Sequence, residues 1–181
     1  MTYSLTEHRH RYACWCSARA ATRGLGGATN KTVRLALESS SLPDLIAGPP
    51  EAWPRTADDF DEAHLTWCAA VLDSLHAQGV HEATFGRAAK IVAIYLKTLV
   101  VCGGQSTSAL AQVAHPPVDR VLLQALARDP QFPSAVRSEW RRTSWTALGE
   151  AEYSALVAQL RAVGLDSGGF WRAERWWSGD G

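Results

Sequence analysis

The chain has 181 residues, 46% of them hydrophobic and 20% charged. That balance excludes an intrinsically disordered chain, and the length suits one domain with a substantial core. Lys+Arg and Asp+Glu both number 18, so the net charge is zero, which argues against strong non-specific nucleic-acid binding through massed cations but leaves room for a local basic face.

The predicted elements are nearly all helical. Leu5 to Arg23 is one long helix, ended by Gly24 and the Gly26-Gly27 pair. Asn30 caps a short helix through about Glu38, and the Ser/Pro/Gly-rich stretch 39–55 reads as a loop. Thr56 with Asp58, Asp59 and Asp61 suits the positive end of a helix that runs to about Gln78. Phe60, His64, Trp67, Val71 and Leu75 form its apolar stripe. The next helix, Gly86 to Val101, is apolar on so broad a surface that a central, buried position is expected; Gly103-Gly104 stops it.

Cys102 to Ala114 reads as a Gly/Ser/Thr-rich loop. Pro116-Pro117 starts a helix that closes near Asp129-Pro130. A short helical piece covers Arg137 to Arg142, and a longer helix begins at Thr146 or Gly149 and reaches about Val163. Phe170 to Trp177 makes a final turn or two. No window alternates as a half-buried strand does. The fold class is therefore all-α, a single multi-helix domain over 1–181, with residues 1–38 as a candidate N-terminal extension.

The polar N-terminus, rich in His and Arg, carries no secretory pattern, and no apolar run reaches transmembrane length. A cytoplasmic, reducing setting is expected for Cys14, Cys16, Cys68 and Cys102, with no membrane partner. Cys14-Trp15-Cys16 lacks chelating spacing, and the six histidines are scattered, so neither a metal nor a cofactor is expected.

Two segments carry chemistry. Gly86-Arg87-Ala88-Ala89-Lys90 places a lysine one turn into the apolar helix. Pro116-Pro117-Val118-Asp119 places a carboxylate at the start of another. An amine and a carboxylate so placed can act as nucleophile and acid/base partner. The Gly86 backbone and Arg87 can hold a phosphate. The plainer alternative is a solvated Lys90 and an Asp119 that only caps its helix, in which case Asp119→Asn costs little stability because Asn also caps well. His115 can bond Asp119 or a substrate, or be an exposed loop residue, which is the favoured expectation.

Gly86-x-x-x-Lys90 and Pro117-Val118-Asp119 resemble the helix-hairpin-helix DNA glycosylases, in particular the 8-oxoguanine DNA glycosylase-like branch, over about residues 75–128. Members carry a glycine hairpin, a lysine that attacks the sugar C1′, and a Pro-Val-Asp carboxylate. Here the hairpin has one glycine, Gly86, after Thr84 and Phe85, and the lysine-to-aspartate separation is longer than usual. The resemblance implies an N-glycosylase/lyase-like hydrolase with Lys90 as nucleophile and Asp119 as its partner.

Two aromatic-cationic stripes complete the inventory. His8, Arg11 or Tyr12, Trp15, Arg19 and Arg23 fall on one face of the first helix, where Trp15 and Arg19 could wall a flipped base. Phe170-Trp171-Arg172-Ala173-Glu174-Arg175-Trp176-Trp177 is expected mainly to seal the core, with one indole of the tandem pair turned outward toward a protein partner. Two functions from different classes follow. One is the glycosylase-like enzyme. The other is a non-catalytic helical module, of a regulatory, defence or toxin-type system, that binds nucleic acid, a nucleotide or a protein.

Overall fold

The computed structural model describes residues 3–178. Among them are nine α-helices, a π-helical segment and three 3-10 turns, with no strand. The helices are α1 (Leu5–Ala21), α2 (Asn30–Glu38), α3 (Leu42–Ala47), α4 (Ala57–Ala77), α5 (Phe85–Leu96), α6 (Ala109–Val113), α7 (Arg120–Arg128), α8 (Ser134–Arg142) and α9 (Glu150–Ala162). The π segment is Lys97–Gln105, and the 3-10 turns are Pro50–Ala52, Trp145–Ala147 and Phe170–Trp176.

Side-chain caps set the starts. Thr29, Thr56, Thr84 and Asp119 each accept a backbone N–H three residues on, satisfying a donor that the helix itself leaves free. Thr29, rather than Asn30, caps α2, in a reciprocal pair with Thr32. Asp58 and Asp59 lie in the first turn of α4, where the helix dipole favours negative charge.

The core forms around α5. Every residue from Phe85 to Leu96 is buried except Ile94, as the broad apolar surface predicts. Helices α1 and α4 pack on it. The buried face of α1 is Ala13, Cys14, Ser17, Ala18 and Ala21, all small, which lets two backbones approach closely. The α4 stripe of Phe60, His64, Trp67, Val71 and Leu75 is wholly buried. Burial pushes the Cys14 thiol up to about 12, so it packs as a small apolar group.

Three stretches differ from the sequence expectation. Residues 39–55 are not a loop throughout, because Leu42 and Trp53 anchor α3 and the first 3-10 turn to the core. The helix expected to run to about Val101 is α-helical only to Leu96; the chain then widens into the π segment, which breaks at Gly104 (φ 92°), within the glycine pair expected to stop it. The expected loop 102–114 contains α6, capped by Ser108 and buried through Leu110 and Ala111. Helices α1 and α2 contribute to the central core.

Candidate functional site

Lys90 and Asp119 meet. Lys90 sits in the second turn of α5, and its Nζ donates to Asp119 Oδ2 at 3.0 Å. The other oxygen, Oδ1, accepts the Leu122 N–H at 2.9 Å and so caps α7. One carboxylate thus caps and pairs at once. The side chains are 8% and 13% exposed, so the pair is sheltered from water. Trp145 roofs it, with the Lys90 nitrogen 4.5 Å from the ring centroid. A second ion pair, Lys97–Glu174, lies seven residues along from Lys90, and burial raises the Glu174 carboxyl's pKa while Lys97 opposes the rise.

Gly86 holds that roof rather than a phosphate. Its N–H donates to Leu148 O at 2.9 Å, and a Cβ on it would lie 2.1 Å from the Trp145 carbonyl oxygen. The glycine is needed because another backbone passes against it. Arg87 likewise reaches backbone. Its Nη1 donates to Ala21 O at 2.6 Å and to Arg23 O at 3.3 Å, tying off the C-terminus of α1. In both, backbone carbonyls occupy donors at the start of α5: the Gly86 N–H and the Arg87 Nη1.

His115 is buried, contrary to the exposed position expected of it. It does not touch Asp119. Its Nε2–H donates to Asp61 Oδ1 at 2.9 Å, and its Nδ1 accepts from Tyr153 Oη at 3.3 Å. Asp61 also receives two bonds from Arg161, at 2.5 and 2.7 Å. Burial alone would raise the Asp61 carboxyl, but the Arg161 and His115 hydrogen bonds outweigh it and hold the group below its ordinary range. Burial lowers the pKa of both His115 and its ring neighbour His64, which lies 4.5 Å away between centroids and stacks on Tyr153. This polar cluster escaped sequence reasoning, because Asp61 looks like an acid of the α4 start and its partners lie 54 and 100 residues away.

Trp15 and Arg19 are exposed on α1 with Tyr12 stacked on Trp15. They do not line the space next to Trp145. That space is a cleft of about 390 Å³ between the α7 start, the α8 end and the 3-10 turn that follows. Arg120, Arg141 and Arg142 line it with Trp140 and Trp145, and no acidic side chain does. Arg141 donates to Ala127 O at 2.7 Å. Arg120 and Arg142 form no ion pair among the described residues. The buried Trp140 indole N–H has no hydrogen-bond partner among the described residues. Among the described residues, no group of three or more His, Cys, Asp or Glu is placed to hold a metal.

The C-terminal aromatics divide as expected. Phe170 is fully buried, Trp176 donates to Asp129 Oδ2 at 2.8 Å, and Trp177 faces outward beside Lys97. Among the described residues, no helix is long and apolar enough to cross a membrane.

Comparison with known proteins finds no matching family model, no matching curated protein and no matching solved structure. The likeness to helix-hairpin-helix glycosylases therefore rests on Gly86, Lys90 and Asp119 themselves.

Proposed function

We propose that this protein is a non-catalytic helical binding module that takes a nucleotide or a short single strand of nucleic acid in the Arg120–Arg141–Arg142–Trp145 cleft. The observation that carries this is the cleft's composition: three arginines and Trp145 around one concavity, over the buried Trp140, with no acid in its lining. Guanidinium groups take phosphate, often with two donors at once, and an indole face takes a base. Arg120 opens α7, where the helix dipole adds to its charge. Neutral net charge fits a local site of this kind better than a long nucleic-acid track.

The test is a titration with ATP and with an oligothymidylate of about ten nucleotides, the span of a single-strand module. Binding is expected to weaken steeply between about 50 and 200 mM salt. Arg120→Gln and Arg142→Gln should each weaken it about tenfold, the effect of losing a charged hydrogen bond. Absence of binding at low salt, or binding by both variants as tight as by the native protein, would reject the proposal.

The Lys90–Asp119 contact at 3.0 Å favours a second reading, an N-glycosylase/lyase on a base in nucleic acid. In it, the Lys90 amine attacks C1′, the base leaves with the glycosidic electron pair, and Asp119 steadies positive charge on the sugar. Trp145 would have to swing aside first. Borohydride should then trap the protein covalently on DNA with an abasic or damaged site, and Lys90→Gln should abolish the trap. No adduct with the native protein, or an adduct that survives Lys90→Gln, removes this reading.

A further inference from the structure

A larger cavity lies elsewhere in the molecule. About 580 Å³ in volume, it opens between α1, α3 and the junction of α5 with the π segment. Tyr95, only 1% exposed, reaches it from α5, and Trp53, Ile46 and Leu99 supply apolar surface.

A hydrogen-bonded chain forms one side. In the neutral imidazole whose Nε2–H donates to Glu38 Oε1 at 3.2 Å, Nδ1 of His10 accepts from Tyr95 Oη at 2.8 Å. Tyr95 thereby spends its proton on His10. The lone pairs of its oxygen remain to accept a bond from whatever occupies the cavity.

The charges are unevenly satisfied. Three carboxylates line the space: Glu7, Glu38 and Asp44. Glu7 pairs with Arg11 at 2.5 Å, and Glu38 pairs with Arg34 and accepts the His10 N–H. Asp44 forms no ion pair among the described residues. Asp44, charged, and Tyr95 Oη, neutral, are thus two acceptors left to meet a ligand beside an apolar wall. Arg9 stands at the same cavity, also without an ion pair.

We propose that this cavity binds a small molecule bearing a protonated amine on an apolar or aromatic body. Asp44 is the counter-ion, Tyr95 Oη the second acceptor, and Trp53 and Leu99 hold the body. The site is separate from the arginine cleft and shares no residue with it. Arg9 leaves room for an acidic group elsewhere on the ligand, so an amino acid belongs to the same class as the simple amine.

Calorimetric titration of the full chain with phenethylamine, phenylalanine and 3-phenylpropionate tests this. Saturable binding of the two amines is expected, with none of the acid that lacks nitrogen. Asp44→Asn should weaken amine binding about tenfold, as loss of a charge-assisted contact does. Asp44 is exposed, so this variant keeps the fold. Tyr95→Phe should weaken it as well and also leave His10 Nδ1 unpaired; should that substitution prevent folding, the Asp44 variant decides. No heat with either amine, binding of phenylpropionate as tight as theirs, or unchanged affinity in Asp44→Asn would overturn the proposal.

Discussion

Gly86 and the carbonyl of Trp145 stand so close that a single methyl group at Gly86 would come within 2.1 Å of the oxygen. The obstacle is backbone, and the neighbouring Gly86 N–H to Leu148 O bond fixes the same two stretches of chain together. Gly86→Ala should therefore cost about 2–3 kcal/mol, the upper part of the overpacking range. The urea midpoint reads this directly. An unchanged midpoint would mean that the 144–148 segment is free to retreat.

Asp119 should be far less replaceable than its capping role suggests. Asn would keep the bond to the Leu122 N–H, which from sequence alone makes Asp119→Asn nearly neutral. But the second oxygen compensates Lys90 inside the fold. Removing one charge of a sheltered pair leaves the other uncompensated, a cost of about 3 kcal/mol. Asp119→Asn should lose most of that in chemical denaturation, and the double variant Asp119→Asn with Lys90→Met should recover part of it. Additive losses in the double variant would show that the pair contributes nothing beyond its members.

Trp145 should govern access to Lys90. Trp145→Ala removes a cation–π contact worth about 1 kcal/mol and opens the roof. Reductive methylation followed by peptide mass spectrometry should label Lys90 faster in the variant than in the native protein. Equal labelling would mean that water and reagents already reach the amine by another path.

Acid should destabilise the protein through His64 and His115. Both have folded-state pKa values lowered by burial, so the unfolded chain binds protons that the folded chain refuses. Stability is then fully present above the ordinary histidine value of about 6.5 and falls as pH drops below it, by up to about 1.4 kcal/mol per pH unit for each ring. Asp61, held low, adds a loss of the same sign further down the acid range. Denaturation midpoints measured from pH 8 to pH 5 should decline, and His64→Phe should flatten the decline. A flat native profile would place one or both rings in water.

Much of the helical skeleton was legible because its signals are local. Thr56 with its acids, the apolar breadth of α5 and the glycines at its end act within one or two turns. Lys90 and Asp119 were each marked as helix-start residues, but sequence left open whether they meet or stand apart. What covers them was not legible. Trp145 reaches Lys90 from 55 residues on, and nothing near either residue signals the approach. Arg87 looked free for the same reason: its partners, the Ala21 and Arg23 carbonyls, are backbone groups that no sequence pattern displays. His10, Glu38 and Tyr95 come from three separate helices, so their chain is a property of packing alone.

The seating of α1 against α5 also bears on how the protein is made. His10 waits for Tyr95, 85 residues later, and the α1 carbonyls wait 66 residues for Arg87. At roughly 5–20 residues per second, α1 leaves the ribosome about 4–17 s before the helix it packs on. Through that interval its small-residue face has no partner but α2. Helix α1 is thus locked only once α5 has emerged, and a ribosome paused between the two would carry a segment unable to close this core.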